Sequence, residues 1–205
     1  MFAALLCALA LAEMAGPRAE QLAPPQPAPL SVLGPLPAGE SALTIEAGAP
    51  FFSVHLDHGL PGLGSRVDAG LGLDLSPAGF LRPQARARVR ILALGATQLT
   101  VRGVLAVAVP DSRAGYGPRE IKRTEDGELS LGYAWAVVPQ LALFAEAAVL
   151  GQTDFTAEHS ASQMRGVLGL ALGPLGPFAL ICQGGILRGR RGHAKVVSGG
   201  VVFRF

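Results

Sequence analysis

A chain of 205 residues that is 50% hydrophobic and only 16% charged is too apolar to be disordered, and its 27 Gly and 16 Pro are too many for a helical bundle. A net charge of +2 gives no reason to expect nucleic acid as a partner. Four scattered histidines (His55, His58, His159 and His193) and the lone cysteines Cys7 and Cys182 lack metal-ligand spacing, so neither a metal nor another cofactor is implied.

The chain opens on an uncharged run, residues 1–12, that ends in Ala10-Leu11-Ala12, a small-residue cleavage pattern. It is too short to cross a bilayer as a helix, which takes about 20 apolar residues, and it predicts an export signal. No Lys or Arg precedes the run, which departs from the usual pattern. Residues 13–40 follow as a Pro-rich linker, with Pro24, Pro25, Pro27, Pro29, Pro35 and Pro37, where missing amide donors favour an extended spacer. Residues 41–64 also look extended, but their apolar phase slips by one at Pro50: Ile45 and Ala47 are odd, Val54 and Leu56 even. They are therefore expected to form an accessory segment, with Asp57-His58 as turn chemistry before Gly59.

From residue 65 the apolar period is two. Leu81, Ala85, Ala87, Val89 and Ile91 alternate with Arg82, Gln84, Arg86, Arg88 and Arg90. A helix would scatter those arginines around its cylinder, whereas a strand puts them on one face. The same alternation runs through Val67–Leu75, Leu129–Val137 and Val197–Phe205. Pro83 interrupts its strand and requires an edge or an irregularity. The breaks at Ser76–Gly79, Val138–Gln140 and Gly173–Pro177 are short, while Pro110–Gly127, Gln152–Gln163 and Gly189–Ala194 are longer and polar. Short turns alternating with long loops are the mark of a transmembrane barrel.

The uncharged stretch Gly166–Leu187 could be counted as a spanning helix. Pro174 and Pro177 fall within it among six glycines. An interior Pro costs a helix about 3 kcal/mol and a Gly about 1. Two strands around a Gly-Pro turn violate nothing. A soluble sandwich shares the alternation, and three features weigh against it: the export signal, strand lengths near the 9–11 residues that cross a bilayer, and the chain end.

That end is Val201-Val202-Phe203-Arg204-Phe205, an alternating strand closing on an aromatic residue. Residues 65–205 resemble a small bacterial outer-membrane β-barrel, of the kind shared by the outer-membrane protein A barrel and its short relatives. The resemblance implies an all-β, antiparallel up-and-down transmembrane barrel in the outer membrane. It also implies that Phe203 and Phe205 serve as a C-terminal signal to the barrel-assembly machinery. The candidate strands are 65–75, 80–94, 98–109, 128–138, 141–151, 164–173, 178–188 and 195–205, eight in all, with ten reached if residues 41–64 join and one more was missed. The thin aromatic content, 6%, departs from the dense girdles of such barrels.

With the apolar face on lipid, the lumen is expected to collect Arg66, Asp68, Asp74, Arg82, Arg86, Arg88, Arg90, Arg102, Glu128, Glu146, Arg165 and Arg204. Eight Arg against four carboxylates makes an unbalanced interior, expected to be either a polar plug or an electropositive path for anions. Three functions follow. The first is a non-catalytic barrel with a structural or surface-interaction role, contacting outer-membrane lipid and lipopolysaccharide through Arg188, Arg190, Arg191 and Lys195. The second is a small anion-preferring pore. The third is a lipid-modifying hydrolase using His159 with Ser160 or Ser162 near Glu158, for which no complete nucleophile–base–orienter arrangement is visible. Oligomeric state is not legible.

Overall fold

The computed structural model describes residues 32–49, 51–63, 66–76, 80–110, 124–154, 160–189 and 192–205. The expected export signal and the expected linker up to residue 31 lie outside these. Ten antiparallel strands follow one another in chain order: β1 (Ser41–Ala49), β2 (Phe52–Gly59), β3 (Val67–Ser76), β4 (Phe80–Leu94), β5 (Thr97–Pro110), β6 (Thr124–Val138), β7 (Leu141–Asp154), β8 (Ser160–Leu175), β9 (Phe178–Gly189) and β10 (Gly192–Arg204). Each pairs with its neighbour, and β1 closes the barrel by pairing with β10 over Ala42–Arg204 to Ala49–Val197. Closure leaves no unpaired strand edge, which a bilayer would not tolerate.

Residues 41–64 are therefore no accessory segment, and the eight-strand count gives way to ten. The phase slip falls between two paired strands: β1 and β2 pair from Ala47–Phe52 down to Ser41–His58, and each strand keeps its own alternation. On β1 the even residues point inward; on β2 the odd ones do, with His55, Asp57 and Gly59 all buried.

Hairpins join β4–β5, β6–β7 and β8–β9 at one end, the turn end, through the short turns at residues 95–96, 139–140 and 176–177. Both ends of the described chain meet there. Ser41 N–H donates to the Phe205 carbonyl at 2.9 Å and Phe205 N–H to the Ser41 carbonyl at 3.0 Å. At the opposite, loop end β1, β3, β5, β7 and β9 finish and β2, β4, β6, β8 and β10 begin. Pro83 sits where pairing with β5 lapses between Leu81–Val109 and Gln84–Ala106. A residue without an N–H is accommodated by a gap in the ladder rather than by an edge.

The outer face is apolar around the barrel. Leu71, Leu131, Leu143, Leu168, Ile186 and Val197 are all exposed, Leu168 to 71%. A soluble protein does not display so wide an apolar belt, and lipid tails are its natural solvent. Tyr133, Trp135, Phe178, Phe203 and Phe205 gather at the turn end, where the Phe178 and Phe203 rings lie 6.5 Å apart. Phe52 is exposed at the opposite end, so the described aromatics are densest at the turn end without being confined to it. Leu168 lies midway along β8, so Leu168→Arg should destabilise the folded barrel by about 2–4 kcal/mol. The same change at Ser162, an exposed outward residue near the loop end, should cost about 1 kcal/mol or less. Urea titration of the two variants folded in lipid vesicles reads the difference.

The lumen is not left to strand residues alone. Residues 32–37, expected as part of a spacer, enter the barrel at its turn end. Val32 and Leu36 pack there against Ala42, Ala171, Ala179 and Val202, and Leu33 reaches Ala134, Ala136 and Ala142. Small alanines on the inner face of five strands leave the room that this segment fills. Leu36, 2% exposed, anchors its backbone by donating its N–H to Asp68 Oδ2 at 3.0 Å. Gly34 packs against the Gln98 amide, which would have to swing aside for a Cβ that would otherwise stand 2.7 Å away.

Candidate functional site

Above this plug the lumen holds a cavity of about 430 Å³ that reaches the loop end at Phe51, Leu150 and Leu187. Its wall is built from the inward-facing residues of the alternating strands, in three polar groups. On β2–β4, Arg86 grips Asp57 with two nitrogens, its Nε at 2.7 Å from Oδ1 and its Nη2 on Oδ2. Arg88 grips Asp68 in the same way, at 3.0 and 2.6 Å, and lies 3.7 Å from Asp57. Arg82 bridges Asp74 at 2.8 Å and Asp126 at 2.9 Å, while Gln84 donates to Asp74 at 2.7 Å. Paired forks of this kind are the strongest way to hold carboxylates away from bulk water.

Space for the crossing side chains comes from β3. Its inward positions between Asp68 and Asp74 are Gly70 and Gly72, and a Cβ there would collide with the Asp57 carboxylate or the His55 ring. On β5–β8 a second group forms a square. Arg102 Nη2 and Arg165 Nη2 each donate to both Glu128 Oε1 and Glu146 Oε1, at 2.6 to 2.8 Å. The third group is uncharged except for one residue. Glu46 Oε2 accepts from Gln183 at 3.3 Å and from Ser198 at 3.4 Å.

Strand parity carried most of this. Asp68, Asp74, Arg82, Arg86, Arg88, Arg102, Glu128, Glu146 and Arg165 all contribute to the ion-paired wall, and Arg90 and Arg204 have the inward parity of their strands. Arg66 lies in the turn before β3 rather than on a strand. The expected excess of arginine does not survive. Asp57, read as turn chemistry, is 1% exposed and bound to Arg86; Asp126 and Glu46 add two more carboxylates. These three carboxylates lie on β1, β2 and the first residues of β6, which a strand pattern that leaves out residues 41–64 and starts this strand at 128 does not reach. Among the described residues the ion-paired wall holds six carboxylates against five guanidinium groups, so its lining carries no excess of arginine.

At the loop-end rim the polarity reverses. Arg188 and Lys195 face outward from β9 and β10, with His193 directly opposite Arg188 and Lys195 opposite Ile186. Met164 is paired with Arg188 from the β8 side and is 65% exposed. Arg190 and Arg191 lie outside the described residues, as do His159 and Glu158. Ser162 is exposed on the outer face of β8, away from the lumen. Among the described residues no group of His, Cys, Asp and Glu is placed to hold a metal ion.

No protein-family model matches the sequence, and neither does any curated protein. Solved structures do match. The loop L8 deletion mutant of OmpT, an outer membrane protein of Vibrio cholerae, is 13% identical with a TM-score of 0.44, covering 76% of this chain and 53% of its own. The chain thus spans about half the length of that protein. The KdgM porin, solved in complex with disordered oligogalacturonate, is 7% identical with a TM-score of 0.46, covering 81% and 99%. Ail, the attachment invasion locus protein of Yersinia pestis, is 10% identical with a TM-score of 0.35, covering 82% and 99%. The barrel's own geometry carries the conclusion: strand closure, an apolar belt and a charged lumen. This chain is a closed antiparallel β-barrel of ten strands with the apolar outer face of a membrane-spanning one.

Proposed function

We propose that the protein is a non-catalytic surface barrel whose loop-end rim grips the phosphates of lipopolysaccharide. The observation behind this reading is the outward placement of Arg188, His193 and Lys195 next to exposed apolar Met164, Ile186 and Val197. A rim residue at the top of a lipid-facing strand stands at headgroup depth. Each Lys or Arg near an anionic surface contributes about 1 kcal/mol, and an Arg fork matches phosphate oxygens. The N-terminal plug supports a barrel that holds its place rather than one that passes solutes. Phe203 and Phe205, exposed at the turn end, fit the part of a signal read by the barrel-assembly machinery.

Replacing Arg188 and Lys195 by Gln should weaken lipopolysaccharide binding by about 2 kcal/mol at low salt. It should also flatten the dependence of affinity on ionic strength, because screening acts only on the charges that remain. Binding of the purified barrel across a salt series measures both. An unchanged affinity and slope would remove lipopolysaccharide phosphate from the reading.

A further inference from the structure

The plug turns the lumen into a cup with a floor of Val32, Leu33 and Leu36. Two features of its wall are unmatched. Glu46 lines the cavity, and among the described residues its carboxylate accepts only from the neutral donors Gln183 and Ser198. The Asp and Glu side chains of the ion-paired wall each have an arginine. Arg102 feels the charge of Glu46, but its Nη2 is already shared between Glu128 and Glu146.

The second feature is a set of donors. Ser130, 2% exposed and lining the cavity, has a buried hydroxyl without a hydrogen-bond partner, and so do the Nε–H groups of Arg102 and Arg165 beside it. Ser130 stands directly across from Arg102 on the adjacent strand, so the three donors belong to one patch. Unpartnered buried donors are costly and call for acceptor oxygens. Those oxygens need not be charged, because the two Arg and two Glu of the square already neutralise each other.

We propose that this cup binds a compact primary amine that also carries hydroxyl or carbonyl oxygens. Its ammonium sits on Glu46, and its oxygens accept from Ser130, Arg102 and Arg165. The cavity, about 430 Å³, is within the usual range for small-molecule sites. An anion is disfavoured by Glu46, and a bare alkylamine leaves the donors unanswered.

The test is calorimetric titration of the full-length folded barrel with three probes at mildly acidic pH: D-glucosamine, N-acetyl-D-glucosamine and propylamine. The first has charge and oxygens, the second oxygens without charge, the third charge without oxygens. D-Glucosamine should bind at least tenfold more tightly than either other probe. Glu46→Gln should erase its advantage over the N-acetyl sugar, whereas Ser130→Ala should weaken both sugars alike and leave their ratio intact. Equal affinities for the three probes, no binding of either sugar, or a preference that survives in Glu46→Gln would each overturn the proposal. Heat-modifiable migration on gels confirms folding of each variant. Glu46→Asp, expected to keep the preference at reduced affinity, serves if the Gln variant does not fold. None of these outcomes touches the rim, so the lipopolysaccharide reading stands or falls separately.

Discussion

Exchanging Val32, Leu33 and Leu36 together for Ser should turn an electrically silent barrel into one that conducts. The three side chains are the floor of the lumen, and Val32 and Leu36 are almost fully buried against strand alanines. Burying an aliphatic side chain of this size stabilises by about 1.5–3 kcal/mol. Loss of three such contacts removes about 5 kcal/mol from a segment otherwise tied by the Leu36–Asp68 hydrogen bond and by its continuation into β1. That is enough to shift a docked segment to mostly undocked. The strands themselves keep their hydrogen-bonded ladders, so the barrel should remain folded. In planar bilayers the unmodified protein should show no steady steps and the triple-Ser variant should. Steps of similar size from both would mean that the segment does not close the lumen. The lining of the opened path is nearly balanced in charge, so its anion-to-cation preference should be weak, in contrast to the arginine-rich lumen expected from the sequence.

The second large effect is expected at Arg86. Its side chain holds Asp57 by two nitrogens, and that carboxylate is 1% exposed. Arg86→Met leaves the carboxylate with Arg88 at 3.7 Å, a cation already committed to Asp68. Stripping one partner from a buried ion pair costs about 3–5 kcal/mol, and the residual Arg88 contact places this case near the lower figure. Arg86→Met combined with Asp57→Leu should recover most of the loss, since removing both charges leaves nothing unpaired. Trp135, the single tryptophan, faces outward at the turn end and reports unfolding directly. Urea titration of its fluorescence in vesicles gives the stability of all three proteins. A double variant no more stable than Arg86→Met would assign the loss to packing instead of to the orphaned charge.

Strand parity was written into the sequence because lipid and lumen impose opposite demands on successive residues. Arg82, Arg86 and Arg88 announced a strand with one polar face, and that face is the lumen wall. The turns at 139–140 and 176–177 were equally legible, since Pro and Gly act locally. What depends on partners distant in sequence was not. The slip at Pro50 reads the same whether it ends a stray segment or turns a hairpin, and only the pairing of β1 with β10 settles which. The charge balance of the lumen followed from that pairing, because Glu46 and Asp57 lie on the two strands it adds. The plug was the least legible of all. Val32, Leu33 and Leu36 look like ordinary apolar residues of a Pro-rich spacer. Their role exists only because alanines from five strands, far apart in the chain, leave a space at the turn end that these three side chains fill.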